Sequence, residues 1–503
     1  MSTTFEAATS RRISIEPVTR LEGHGRIEIF LNDEGKVDRA VFQVPELRGF
    51  EKFVQGRPAE DMPQITSRIC GVCPTAHHMA STKALDDLYR VTPPPAARKI
   101  RELIYHTFFV EDHALHFYFL GGPDFVMGPS ALPGERNVIG VIGKVGIDTA
   151  QRVIAVRRTL RDLMAAVAGK AIHPVFGVPG GVAKPLTREQ AVDFRRAAGE
   201  AVDFARFTLD LFDKVVLANQ AYLDLIHSDM YAHRTYYMGM VNEQNRVSFY
   251  DGTLRVVSPS GAQWARFETR AYRDYIVEHA EPWSFMKFCH LKSIGWRGLV
   301  EGEDSGVYSV GPLARLNAAE GMATPLAHEL YLRFFGVLRG KPVHYTLANH
   351  WARLIEMLYA AERMRQLAEE DEITDPHVRE LPQSPGDEGI GVVEAPRGTL
   401  FHHYAADDRG RITKANLLVA TQNNAARMAL SVEKAARALI DGSTVQEGVL
   451  NMIEMALRAY DPCLGCATHS LPGSMPLMVR LCSRAGSVVA SLRRDSDGRI
   501  VRE

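Results

Sequence analysis

Two short motifs hold most of the chemistry open to this sequence. RICGVCPTAHH sets Cys70 three positions before Cys73, with His77 four residues further on; DPCLGCATH pairs Cys463 with Cys466 and sets His469 three residues beyond. A C-x-x-C pair brings two thiolates together on a tight turn, which suits one soft metal ion, an iron–sulfur cluster or a disulfide. Two such pairs in similar company offer four sulfurs and two imidazoles. A structural zinc site is the commonest use of paired C-x-x-C motifs, but zinc ribbons close short loops. These pairs lie toward opposite ends of the chain, and only a large fold that is already organised can close so long a loop. The spacing favours a functional metal and leaves structural zinc as the alternative. The chain has six cysteines, too few for a disulfide scaffold, and Cys289 and Cys482 stand alone as small apolar residues do.

The elements that must position these groups are legible as periodicities. Residues 12 to 46 alternate apolar and polar, which predicts an N-terminal β-hairpin with NDEG as its turn. Helical spacing follows over 80–91 and, beyond the break at Pro93–Pro95, over 97–120. It returns over 146–168, 187–230, 323–337 and 346–370, while 231–262 and 391–422 read as short strands and turns. HPVFGVPGGVAKP reads as an ordered loop between helices. The expectation is a helix-dominated α+β fold with peripheral β elements and no internal repeat.

Composition narrows the function. With 59 Lys and Arg against 60 Asp and Glu, interspersed throughout, there is no basic stripe for nucleic acid. A chain of 503 residues can bury a large core without a zinc staple. No apolar run is long enough to span a bilayer, and the start carries no apolar leader. Arg11 and Arg12 precede an alternating stretch, not the apolar segment that a twin-arginine signal needs. A soluble, cytoplasmic protein is expected.

The segments PVTRLEGHGRIEI, ELRGFEKFVQGRP, RICGVCPTAHH, VVEAPRGTLFHHY and DPCLGCATH resemble, in order and spacing, the large subunit of nickel–iron hydrogenases over almost the whole chain. VGPLARLN and EAPRGTLFHHY look most like the soluble, cofactor-coupled, NAD-reducing branch. The resemblance implies reversible heterolytic cleavage of H2 at a nickel–iron centre whose iron carries one carbon monoxide and two cyanides. Cys70 and Cys463 would bind nickel terminally, and Cys73 and Cys466 would bridge nickel to iron. It further implies Glu22 as proton relay and Arg397 over the open metal position with Pro396. Asp112 and Asp461 would flank that arginine. His77 would donate toward a bridging sulfur, Thr421 would bond a cyanide, and Glu51, the Leu417 carbonyl and His469 would hold magnesium. Taken without the family, Asp112 reads as a surface helical acid, Asp461 as a helix N-cap and Glu51 as a solvated acid.

The same resemblance implies a large-subunit domain over residues 1–469. Residues 470–503 would be an extension removed on maturation by an endopeptidase, in the presence of a maturation chaperone. Ser470 departs from the usual residue at the cut, and PLMVRLC with SVVASLRR would equally form a permanent β-hairpin. With its paired cysteines committed to the centre, the chain needs a small iron–sulfur subunit to carry electrons, and the branch implies a flavin-containing diaphorase that reduces NAD(P). Two rivals stand beside this enzyme. One is a hydrogen-sensing protein with the same centre; the other is a non-catalytic scaffold like the related complex I subunit, stapled by zinc.

Overall fold

The computed structural model describes residues 12–47, 49–441 and 447–468, together with the backbone of three strands near the end of the chain. The N-terminal alternation folds as expected for Arg26–Leu31 and Val37–Gln43, an antiparallel pair turned by Asn32, whose side chain accepts from the backbone of Glu34 and Lys36. A third strand, Arg12–Ile15, pairs along the other edge, so the hairpin is a three-stranded sheet. One face buries Ile27, Ile29 and Phe42, while Arg12 and Arg39 stay outside.

Long helices form the centre. Pro74–Leu88 and Pro95–Leu115 both start on prolines, whose missing N–H is no loss in the first helical turn. Asn349–Glu369 packs against Pro95–Leu115 and Arg188–Phe212, and its buried residues run right around the helix. An element buried on all sides has no amphipathic stripe. Arg188–Phe212 begins with a full capping box, Thr187 and Gln190 each bonding the other's backbone N–H. The expected helix over 187–230 is broken into Arg188–Phe212, a π-turn at Asp213–Leu217 and Gln220–Ile226, with Asn219 capping the last piece. Helices Ala425–Leu439 and Glu447–Arg458 were not anticipated.

The β elements sit at the edges of this bundle. Glu388–Ala395, Gly398–Ala406 and Ile412–Leu418 form an antiparallel sheet. Its first strand lies on Pro74–Leu88 so closely that a Cβ at Gly391 would stand 2.0 Å from Ala80 O, and one at Gly389 2.2 Å from Ala84 O. Tyr236–Val241 joins a second sheet, of four strands. HPVFGVPGGVAKP is ordered, as expected, around the short pair Gly177–Val178 and Gly181–Val182. The three strands near the end, Leu477–Cys482, Val488–Arg494 and Ile500–Arg502, form an antiparallel sheet of their own, so the alternation of PLMVRLC and SVVASLRR is realised. No described helix is long and apolar enough to cross a membrane.

Candidate metal centre

Cys70 leaves a short 3-10 turn in extended backbone, and its sulfur accepts the N–H groups of Val72 and Cys73, both at 3.2 Å. Cys73 stands directly before Pro74–Leu88, where the helix dipole favours negative charge. The second pair follows helix Glu447–Arg458 and is held by the first sheet's loop. Leu464 N donates to Glu22 O at 2.9 Å, and Gly465 N to Glu22 Oε2 at 2.9 Å. The approach requires glycine: Gly23 has φ +83°, and a Cβ there would lie 2.7 Å from Gly465 N. Thr421, in the turn after Ile412–Leu418, accepts Cys463 N at 2.9 Å.

The four sulfurs meet as the spacing argument required. Their ligand atoms lie within 4.8 Å of one another, all buried, with Cys70 to Cys463 at 3.2 Å, Cys73 to Cys466 at 3.5 Å and Cys463 to Cys466 at 3.0 Å. A disulfide needs about 2.05 Å, so these are free thiols. Burial, and then the neighbouring sulfurs, push the Cys463 thiol up, burial pushes the Cys466 thiol up against the pull of Cys463, and hydrogen bonds with Cys463, Cys466 and Cys73 pull Cys70 down. A metal held by all four sulfurs must displace their protons.

The other predicted residues gather around this cluster. Cys463 Sγ donates to Glu22 Oε2 at 3.0 Å. Arg397 and Pro396 are the two turn residues between Ala395 and Gly398, a hairpin tip driven into the core. Arg397 Nη1 donates to both oxygens of Asp112 at 3.1 and 3.3 Å, and its Nη2 donates to Asp461 at 3.1 Å. Asp112 is therefore no surface acid. Asp461, with φ 55°, caps no helix. Burial pushes Asp112 up to about 7 against the pull of Arg397, with Asp461 adding to the rise. A small cavity opens between Cys73, Cys463, Cys466, Arg397, Thr421 and Leu400.

His77 Nε2 lies 3.4 Å from Cys466 Sγ, a sulfur expected to bridge the metals. Tyr404 donates to Ser81, so His402 Nδ1 must donate to Tyr404 O (2.5 Å), leaving His402 Nε2 to accept from His77 Nδ1 (3.1 Å). Burial holds His402 neutral. The partners His402 and Tyr404, in LFHHY, carried no signal of their own in the sequence.

Glu51 Oε1 accepts Leu417 N at 2.8 Å, so the contact between these two runs through the amide. Glu51 also lines a separate cavity of about 530 Å3 with Glu278 and Lys287. His469 lies outside the described residues. Sequence reasoning missed the charges behind Arg397: Arg315, Arg353, Glu356 and Glu394, all fully buried.

A buried set of four cysteines with this acid and arginine defines a class, and the comparisons agree. The model of the nickel-dependent hydrogenase family matches residues 48–138 and 225–469, and a HoxL-like model matches 12–47. The chain belongs to this family and is the large subunit of a nickel–iron hydrogenase. The iron-sulfur subunit of the F420-non-reducing hydrogenase of Archaeoglobus profundus is 45% identical over 96% of this chain and 99% of its own. The NAD-reducing hydrogenase HoxS subunit beta of Cupriavidus necator is 38% identical over 95% and 99%. The crystal structure of an NAD+-reducing [NiFe]-hydrogenase in the H2-reduced state superposes with a TM-score of 0.85 at 38% identity, covering 92% of this chain and all of that one.

Proposed function

We propose that the four cysteines hold a nickel–iron centre with one carbon monoxide and two cyanides on iron, and that this chain cleaves H2 there. The observation that carries the reading is the four-sulfur cluster with Glu22 on one sulfur and Arg397 beside the cavity. Cys70 and Cys463, neighbours in space, would hold nickel, and Cys73 and Cys466 would hold both nickel and iron. The cavity is bounded by Cys73, Cys463 and Cys466 but not by Cys70, so the room lies on the bridging side. Apart from the sulfurs, its walls are apolar at Ala395, Leu400, Val419 and Ala420 and polar at His77, Arg397 and Thr421. That is a lining for small anionic or neutral ligands, which a structural zinc does not need. When bound, such a centre splits H2 heterolytically and takes up two electrons.

The chain's own groups manage the proton and the charge. Cys463 Sγ donates to Glu22 Oε2 across 3.0 Å, within transfer distance. Glu22 also accepts Gly465 N, so its carboxyl is fixed in orientation. Arg397, pinned by two carboxylates, keeps positive charge on the cavity wall. Glu51, the Leu417 carbonyl and His469 would hold magnesium. Electrons leave through a small iron–sulfur subunit, then pass by way of a flavin diaphorase to NAD(P). The names of the related hydrogenases divide between F420-non-reducing and NAD-reducing, so reduction of NAD(P) by the purified complex tests the acceptor. After metal loading, an endopeptidase removes residues 470–503 with the help of a maturation chaperone, and the complex works in the cytoplasm. Protein co-expressed with its maturation machinery is expected to contain nickel and iron in equal amounts and to show infrared bands of metal-bound CO and CN. Zinc alone, with that spectral region silent, refutes the reading.

A further inference from the structure

A hairpin tip is ordinarily the freest part of a sheet; the tip that carries Arg397 is clamped. Arg353, fully buried on helix Asn349–Glu369, directs a single nitrogen, Nη1, at three acceptors. It donates to Pro396 O at 3.0 Å and to His113 Nδ1 at 3.2 Å, and lies 3.3 Å from Asp461 Oδ2. Pro396 O belongs to the peptide whose nitrogen is that of Arg397, and Asp461 is the carboxylate paired with Arg397 Nη2. One atom thus grips the support of Arg397 from the backbone side and from the counter-ion side.

The brace behind it has only one arrangement of protons. A guanidinium can only donate, so His113 Nδ1 accepts and the ring proton sits on Nε2, facing Glu356 Oε2 at 3.1 Å. Glu356 accepts Arg315 Nε and Nη2, both at 2.6 Å. Arg315 Nη1 then bonds Glu394 Oε2 at 2.6 Å and Ala395 O at 2.9 Å, on the strand that leads into the turn. Among the described residues, Arg353 Nε and Nη2 have no hydrogen-bond partner. Buried donors left unused cost free energy, which is the mark of a group held for its position more than for stability.

We propose that Arg353 is a positioning residue for Arg397, braced by His113, Glu356 and Arg315; this rests on the nickel–iron reading above. In the complete hydrogenase, Arg353→Lys and Arg397→Lys are made singly and together. Lysine at 353 keeps the charge and has N–H donors to spare, but its flexible, non-planar head cannot fix Pro396 O and His113 Nδ1 as the rigid guanidinium fork does. Metal content is expected to match wild type in all three. Dye-linked H2 oxidation by Arg353→Lys falls by about tenfold to a hundredfold, the scale of a displacement of about 1 Å in a reacting site. Its cyanide bands move in the same direction as those of Arg397→Lys. The double variant is no slower than Arg397→Lys alone, because a residue acting through Arg397 then has nothing to act on. Losses that multiply in the double variant, wild-type rates and bands in Arg353→Lys, or loss of its metal each overturn the proposal. If Arg353→Lys yields no folded complex, His113→Leu, which removes an acceptor that orients Nη1, enters the same cycle with the same outcomes. Wild-type protein lacking nickel, iron and the infrared bands overturns the nickel–iron reading instead, so the two failures are distinct.

Discussion

Glu22 joins the two ends of the chain with a single carboxylate, taking a proton bond from Cys463 and a backbone bond from Gly465. Those two bonds separate structure from chemistry. In Glu22→Gln the amide oxygen still accepts Gly465 N, so the second cysteine loop stays seated, but an amide cannot take up a proton. The variant is expected to keep its nickel and iron while hydrogen–deuterium exchange drops by about a hundredfold or more, the usual worth of a positioned acid or base. Exchange at the wild-type rate removes the relay role. At this scale the sequence was legible wherever a motif surrounds the residue: the four cysteines, Glu22, Arg397 and Asp461 all sit in short, specific strings. Arg353, Glu356 and Arg315 lie inside ordinary helical text, and nothing in their neighbours distinguishes a buried arginine from a solvated one. Their partners come from distant positions, so the ion pairs exist only once the chain has folded.

The loops that carry the cysteines differ in what surrounds them, and two glycines report the difference. Gly23 takes φ +83° and has the second cysteine loop against it, whereas Gly71, between Cys70 and Cys73, has nothing within 4 Å of a built Cβ. Gly23→Ala must both strain its own backbone and push Gly465 away. We expect it to lower nickel and iron per chain, measured by elemental analysis, while Gly71→Ala retains both. Equal metal in the two variants shows that the hairpin does not seat the loop. Helix and strand periods located most long elements, but boundaries failed where a local feature overrode the pattern, as at the π-turn of Asp213–Leu217. The third N-terminal strand, Arg12–Ile15, lies inside the alternation read over 12–46, which did not show the loop that separates it from Arg26–Leu31.

Across the whole molecule, the charged core is the unusual feature. Arg101, Arg315, Arg353, Arg397, Arg427 and Arg458 are all buried, each tied to carboxylates, hydroxyls or carbonyls from other elements. Removing one partner of such a pair strands the other, at about 3–5 kcal/mol. The metal adds a further tie between segments 393 residues apart. A ligand bound only by the folded state stabilises it by about 2.7 kcal/mol at a hundred times its dissociation constant. Chain prepared without nickel and iron is therefore expected to unfold at a lower temperature than loaded chain in differential scanning calorimetry. Identical curves show that the centre does not help to join the two ends.

The 393 positions from Cys70 to Cys463 also set a clock. At about 5–20 residues per second, a ribosome needs roughly 20–80 s to travel from one half of the cluster to the other. Throughout that interval the early pair faces a half-built socket, able to offer an incoming ion only two sulfurs and open to any oxidant that reaches it. A growing polypeptide therefore cannot complete this centre on its own schedule, and assembly must wait for the last-made loop to come home to the hairpin made first.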